Sequence, residues 1–143
     1  LDQLLAHVNE ITDDRAVLRA IHFFEETARV ERAADAIGEE DYTEFLKLMD
    51  ESGRSSWELL QNCYSLQNCH EQKISLMLAL TQLFLNKIGG GICRVHGGGF
   101  AGVIATIVPE TEMENYVAYI SQYVGKENVY PMDIRAVGAA HID

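Results

Sequence analysis

The chain has 143 residues, of which 22 are acidic and 11 basic, for a net charge of −11, and 48% are hydrophobic. This is the composition of a globular domain with a core, and the acidic balance argues against a basic surface for nucleic acid. No apolar run reaches the roughly 18 residues of a membrane span. The longest, Ile74 to Leu85, is interrupted by Ser75, Thr81 and Gln82.

Residues 1 to about 88 carry helical patterns. One predicted helix has apolar side chains at three- and four-residue spacing, namely Val17, Ile21, Phe24 and Ala28. We expect this face to be buried, with the neighbouring charged residues pointing elsewhere. Gly38 is the expected stop, because glycine readily adopts the left-handed cap conformation.

Two further helices are predicted before residue 88. One is expected to direct Tyr42, Phe45 and Met49 inward and to end near Ser52-Gly53. Ser55-Ser56-Trp57-Glu58 has the form of a capping box, with Ser55 as the N-cap. The segment Ile74 to Leu85 is apolar on nearly every side, which predicts a helix buried between other elements.

From about residue 91 the pattern changes to strand, strand, helix, strand. Ile92 to His96 alternates in polarity, which predicts a strand with Cys93 and Val95 on one face. Val103 to Val108 is continuously apolar and β-branched, as expected of a central strand covered on both faces.

The last predicted elements are a helix and a third strand. Thr111-Glu112-Met113-Glu114 has the form of a second capping box, opening a helix that Gly125 ends. Tyr130 to Val137 is predicted as a strand. The whole chain, residues 1–143, is therefore predicted to be one α+β domain with helices on one face of an antiparallel sheet.

A cluster of glycines joins the first two predicted strands. The segment from Gly89 to Gly102 holds seven of the eleven glycines, including Gly97, Gly98 and Gly99 in succession. Such a loop can turn a hairpin, or it can let another backbone or a ligand approach closely, with successive N–H groups forming a nest for an anion. It is neither a Walker A loop nor a dinucleotide fingerprint, because no Lys-Ser/Thr pair follows and it leads into a strand.

Three segments together resemble the galactokinase branch of the GHMP kinase superfamily. The stretch Cys93 to Gly102 is similar to that family's third motif, roughly R-M-T-G-G-G-F-G-G. Arg19 to Val30 resembles its R-A-x-H-x-x-x-E-x-x-R-V helix, and Phe45 to Ser56 resembles its F-G-x-L-M-x-x-S-H-x-S-L. Tyr130 to Val137 falls where family members place their last strand. The resemblance is collinear over about residues 10 to 138.

The resemblance implies a ferredoxin-like plait with additional N-terminal helices. It implies a parent enzyme that uses ATP and Mg²⁺ to convert galactose to galactose 1-phosphate. The substrate-adjacent and ATP-phosphate-adjacent loop would be Gly97, Gly98, Gly99, Phe100, Ala101 and Gly102, with Arg94 and His96 as possible further contacts. The loop would line the cleft between two domains.

The family's sugar-binding and phosphate-binding signatures, G-R-x-N-L-x-G-E-H-x-D-Y and P-x-G-L-S-S-S-A, do not occur in these 143 residues. We therefore expect no catalytic residue here, no activity of this chain alone, and an N-terminal kinase domain as its partner. Phosphoryl transfer needs a phosphate cradle, a metal and an orienting group, of which this chain supplies one wall. Its first residue, Leu1, is consistent with a piece of a longer protein, and exposed apolar surface could then drive self-association.

Four departures from the family pattern leave the acceptor open. Gly53 replaces a histidine, His96 a threonine and Ala101 a glycine, and Asn68 to Gln72 stands where a P-E-L-D stretch is usual. Another acceptor such as N-acetylgalactosamine is one alternative. A stand-alone ligand-binding or dimerisation module is the other. For Arg94, an ion pair within the domain and a contact to substrate or phosphate both stay open.

No metal site is expected, because Cys63, Cys69, His70 and His96 lack a standard ligand spacing. The three cysteines are an odd number, and no basic segment precedes an apolar one at the start. These features predict reduced thiols and a cytoplasmic location.

Overall fold

The computed structural model describes residues 7, 11–100 and 102–133. It contains four long helices and two strands, with a π-helical turn at Ser56–Leu60 and 3-10 turns at Glu110–Glu112 and Lys126–Asn128. In chain order the elements are α1 (Asp14–Gly38), α2 (Tyr42–Ser55), α3 (Lys73–Ile88), β1 (Ile92–His96), β2 (Val103–Ile107) and α4 (Met113–Val124). The structure is thus of mixed α+β type, as predicted.

The acidic link between α1 and α2 stops one helix and starts the next. Gly38 is the last residue of α1, as predicted, but the left-handed residue after it is Glu40, with φ 59°. The Asp41 carboxylate accepts a hydrogen bond from the Glu44 N–H at 3.0 Å and so caps α2. At the other end of α1, Asp13 accepts from the Ala16 N–H at 2.8 Å.

Helix α1 packs on α2 partly through polar side chains, and the predicted burial of its apolar face was wrong at Phe24 and Ala28, whereas Val17 and Ile21 are half-buried. Phe24 is 45% exposed and Ala28 is also exposed. By contrast, the side chain of Arg29 is only 12% exposed and lies against Glu26 and Glu51. The facing side of α2 offers hydroxyl and carboxylate partners, and Glu26 is paired with Ser52 there. Arg29 Nε, however, is buried without a hydrogen-bond partner in the described ranges.

Neither predicted capping box forms. Helix α2 runs past Ser52-Gly53 and continues without a break into the π-helical turn, so Ser55 has helical angles of −58° and −41° and caps nothing. Its hydroxyl instead pairs with His22 Nδ1 at 2.9 Å. Helix α4 begins at Met113 behind a 3-10 turn, and no side chain caps it.

Strands β1 and β2 form an antiparallel hairpin in which Ile92 pairs with Ile107 and His96 with Val103. Helices α3 and α4 both lie against one face of this hairpin, and α2 runs beside β1. The core is buried between that face and the two helices, and its buried members include Leu78, Leu85, Cys93, Val95, Met77, Tyr116 and Ile120.

The described ranges do not show β2 as the central, fully covered strand that was predicted. Val103 is 58% exposed, and β1 is the sole partner of β2 within the described ranges. The predicted third strand is not seen at Tyr130 to Asp133, which has no regular structure, and its remainder, residues 134–137, lies outside the described residues. Helix α3 is also less enclosed than predicted, because Leu76 and Leu83 are exposed.

Two threonine hydroxyls and a tyrosine tie the helices to the sheet. Tyr116 Oη lies 2.9 Å from Thr81 Oγ1 and 3.0 Å from Thr106 Oγ1, linking α4 to α3 and to β2. Thr81 is fully buried, so this pairing satisfies a hydroxyl that has no access to water. In the described part of the chain, no helix combines the length and the apolar character needed to cross a bilayer.

Candidate functional site

The glycine loop joins β1 to β2 and rests against Asn62, which is 2% exposed. The Phe100 N–H donates to the Asn62 carbonyl oxygen at 2.6 Å. In return, Asn62 Nδ2 donates to the Gly98 carbonyl oxygen at 3.4 Å. Asn62 follows the π-helical turn, so the loop is fixed by a segment about 36 residues upstream.

The close contact between the loop and Asn62 requires a glycine at position 99, Gly99. Its φ is +77°, and a Cβ there would lie 2.8 Å from the Asn62 side-chain amide and closer still to the Asn62 carbonyl oxygen. A side chain would therefore meet both an unfavourable backbone angle and a backbone it cannot displace. Of the two explanations that the sequence left open for the loop, close approach of another backbone accounts for Gly99.

Gly98 is different, because no contact with a described residue requires a glycine there. Its φ is not positive, and a Cβ would have no heavy atom within 4 Å. The N–H groups of Gly98 and Gly99 have no backbone acceptor among residues 11–100 and 102–133. Successive backbone N–H groups of this kind suit hydrogen-bond acceptors such as anionic oxygens.

Arg94 lines a cleft apart from the loop, whereas His96 directly precedes the loop. Arg94 lies in a separate cleft of about 680 Å³, and its Nε donates to the Val95 carbonyl oxygen at 3.1 Å. The other residues of that cleft include Gly53, Trp57, Leu78 and Leu83. His96 is exposed at the end of β1, directly before the loop.

The ion pair considered for Arg94 is not observed. No carboxylate oxygen in the described ranges lies within 4.0 Å of its guanidinium group. Arg94 is half-buried, and the carboxylate residues Asp50 and Glu58 line the same cleft. Ala101, the remaining predicted site residue, lies outside the described residues.

A larger groove begins at the far end of the loop. Phe100 and Gly102 border it, and it continues between β2 and α4 with a volume of about 1000 Å³. Its walls are mostly apolar, with Glu71 and Lys73 among its few charged residues. The end of the loop at Phe100 and Gly102 therefore adjoins an apolar groove.

A buried polar cluster connects α1 with α2. His22 Nδ1 pairs with Ser55 Oγ, and the Ser52 hydroxyl donates to Glu26, which also accepts from Arg29. Burial lowers the pKa of His22, and the nearby Arg29 and Arg94 charges act in the same direction, whereas Glu26 opposes them. The neutral imidazole is therefore favoured in the folded protein.

The cysteines are not arranged as a reactive or metal-binding group. Burial raises the pKa of Cys93 to about 11 and also raises the pKa of Cys63, while Cys69 is exposed. Across the described residues, no three His, Cys, Asp or Glu side chains converge as a metal site. No thiolate nucleophile is expected at neutral pH from the two buried thiols.

Comparison of the chain with protein-family models gives no match. The geometry of the loop and of the two clefts is therefore the basis for any functional argument beyond the resemblance of its motifs.

Two residues of this region had no signal in the sequence. Asn62 holds the glycine loop, yet it lies in a stretch without periodicity or motif. Trp57 lines the cleft of Arg94 from a π-helical turn, a conformation that sequence patterns do not predict and that occurs often at functional sites. Both depend on contacts between segments far apart in the chain.

Proposed function

We propose that this chain is the C-terminal part of a galactokinase-like sugar kinase, in which the Gly97–Gly102 loop forms one wall of the active site. The acceptor proposed is galactose and the donor is ATP. Residues outside these 143 would supply the phosphate-binding loop, the sugar-binding signature and the catalytic group, since those motifs do not occur here.

The observation that carries the proposal is the contact between two of the resembling motifs. His22 and Glu26 belong to the segment similar to the family's helix, and Ser52 and Ser55 belong to the segment similar to its S-H-x-S motif. In the fold, His22 pairs with Ser55 and Glu26 with Ser52. Residues of two motifs that lie about 30 positions apart thus form hydrogen bonds with each other. This supports descent from the kinase family over a chance similarity of the two segments.

The order of elements supports the finer fold proposal, a ferredoxin-like plait. Helix, strand, strand and helix follow one another as α3, β1, β2 and α4, and both helices lie on one face of the hairpin. A plait has this order with one strand before and one after. The two outer strands are not among the described elements, so the plait stays a proposal.

The loop suits an anion better than a metal. The N–H groups of Gly98 and Gly99, which have no backbone acceptor within the described ranges, would hold phosphate oxygens of ATP or of the product, as backbone nests do. Across the described ranges, no three His, Cys, Asp or Glu side chains converge as a metal site. What the chain contributes is orientation and charge stabilisation at the transferred group.

The test compares two glycine substitutions in the intact parent protein. In both variants the new methyl group enters open space without strain. It lies at the glycine loop in Gly98→Ala and at the end of α1 in the control Gly38→Ala. ADP release is measured with ATP and a panel of hexoses and N-acetylhexosamines. We expect galactose-dependent turnover that falls at least tenfold in Gly98→Ala and is unchanged in Gly38→Ala, with equal melting temperatures.

If only N-acetylgalactosamine supports turnover, the protein is still a sugar kinase, but its acceptor is N-acetylgalactosamine and not galactose. No ADP release with any sugar would overturn the proposal in favour of a ligand-binding or dimerisation module. If Gly98→Ala is as active as the parent protein, the loop is not part of the active site.

A further inference from the structure

Helix α1 carries an exposed apolar stripe. Its large side chains Phe23, Val30 and Ile37 are 64%, 60% and 51% exposed. The face that packs on α2 is a different one and carries the polar residues His22 and Arg29. The covered face of α1 is thus largely polar, whereas an apolar stripe of the same helix is in water. A contiguous exposed apolar patch of this kind marks an interaction surface.

The stripe has the spacing of a coiled-coil seam. Its members, at alternating intervals of four and three residues, are Ala16, Ala20, Phe23, Thr27, Val30, Ala34 and Ile37. This is the a/d pattern over about three heptads, and it selects another helix as partner, because side chains so spaced fit between those of a second helix. Thr27 suits the seam, since its Oγ1 donates to the Phe23 carbonyl oxygen at 2.8 Å and needs no partner outside the helix.

We propose that α1 pairs through this stripe with α1 of a second copy of the chain, side by side and antiparallel. In the register that fits best, Ala20 faces Ile37 of the second copy and Phe23 faces Ala34, so a small side chain meets a large one. A parallel pair would instead stack Phe23 on Phe23 and leave a gap between the two Ala34 side chains, which close packing disfavours. The antiparallel contact is isologous, as a twofold dimer requires.

The charges beside the stripe also suit antiparallel copies. Helix α1 has five acidic and four basic residues, so this surface is nearly neutral although the chain carries −11. Exposed Arg19, near the start of one helix, would lie beside Glu39 and Glu40, which follow the end of the other. Charges farther apart are screened beyond about 8 Å at physiological salt. A second copy supplies both the size match and the charge match by symmetry, which favours it over an unrelated helix.

Sedimentation equilibrium at physiological salt tests the dimer on the full chain and two variants. Val30→Asp places a charge in the stripe, and the matched Ala28→Asp places the same charge at an exposed position of α1 outside the stripe. The twofold axis of the pair would pass between Thr27 and Val30, so Val30→Asp brings two carboxylates together in the dimer. Circular dichroism and Trp57 fluorescence report whether each variant is folded.

We expect the mass to rise with concentration from 16.0 kDa, that of one chain, to that of two. The Kd of the dimer should increase at least tenfold in Val30→Asp and stay unchanged in Ala28→Asp, with all three proteins folded. The mass of one chain at every concentration overturns the proposal. So does a dimer that tolerates Val30→Asp, since another surface would then hold the copies together.

Disulfide trapping tests the direction of the pair. The background is Cys69→Ser, because Cys69 is the exposed thiol and Cys63 and Cys93 are buried. On oxidation, a mixture of the Phe23→Cys and Ala34→Cys proteins should give a covalent dimer, and neither protein alone should. A covalent dimer of Ala34→Cys with itself would show parallel helices and overturn the antiparallel pairing.

Discussion

Replacing Gly53 by alanine tests the close contact between α2 and β1. A Cβ at this buried position would lie 2.8 Å from Arg94 Cβ and 3.3 Å from the Cys93 carbonyl oxygen. Both atoms are on or next to the backbone, so neither can rotate away. The galactokinase pattern has histidine at this position, and in this chain such a side chain would collide with β1.

The net effect is set by two opposing contributions. Alanine in a helix interior is favoured over glycine by about 1 kcal/mol. Overpacking a filled site costs about 1–3 kcal/mol, and the contact with backbone atoms places Gly53→Ala in the upper part of that range. We therefore expect a net loss of about 1–2 kcal/mol in the free energy of unfolding. For a chain of this length that lowers the melting temperature by roughly 3–6 °C.

Trp57 is the single tryptophan of the chain and follows α2 within the adjoining π-helical turn, so its fluorescence reports this region. Urea unfolding is followed at 25 °C for the parent, Gly53→Ala, Gly53→His and the matched Gly38→Ala, whose methyl group enters open space. We expect Gly38→Ala to lie within about 0.5 kcal/mol of the parent and Gly53→His to be the least stable. If Gly53→Ala proved as stable as the parent, α2 would not approach β1 this closely.

Three further outcomes follow from the same contacts. Burial lowers the pKa of His22 in the folded protein below 6.5. The stability that the neutral imidazole contributes is therefore present above pH 6.5 and is lost as the pH falls through the folded-state pKa. Urea midpoints should drop on acidification, and the drop should be smaller in His22→Gln. Tyr116→Phe should cost about 1–3 kcal/mol by leaving two threonine hydroxyls unpaired, against almost nothing for the exposed Tyr42→Phe, both measured by thermal unfolding. In the native protein a thiol reagent at pH 8 should modify Cys69 alone, and rapid reaction of Cys93, whose pKa is about 11, would contradict its burial.

The glycine loop illustrates what a motif can and cannot predict. Its position between β1 and β2 was correct from the alternation of polarity on either side. Its contact with Asn62 was not predictable, because that contact joins segments about 36 residues apart and no local rule relates them. The separate roles of Gly98 and Gly99 likewise depend on which side of the loop the Asn62 backbone occupies.

Helix α1 shows the limit of amphipathic patterns. The apolar spacing of Val17, Ile21, Phe24 and Ala28 predicted a helix correctly, because that spacing reflects the 3.6-residue turn. It did not predict which face is covered. Glu26 and Arg29 turn inward because α2 presents partners for them, and a pattern within one helix holds no information about its neighbour.

The sequence by itself determined the class and the order of the elements, since helix and strand periods, glycine stops and acidic caps act within a few residues of the chain. The tertiary structure decided which side of each element is buried, how far β2 is enclosed, and that Arg94 and the Gly97–Gly102 loop belong to different clefts. Burial and hydrogen-bond satisfaction are properties of pairs of distant segments. They are fixed when those segments pack together.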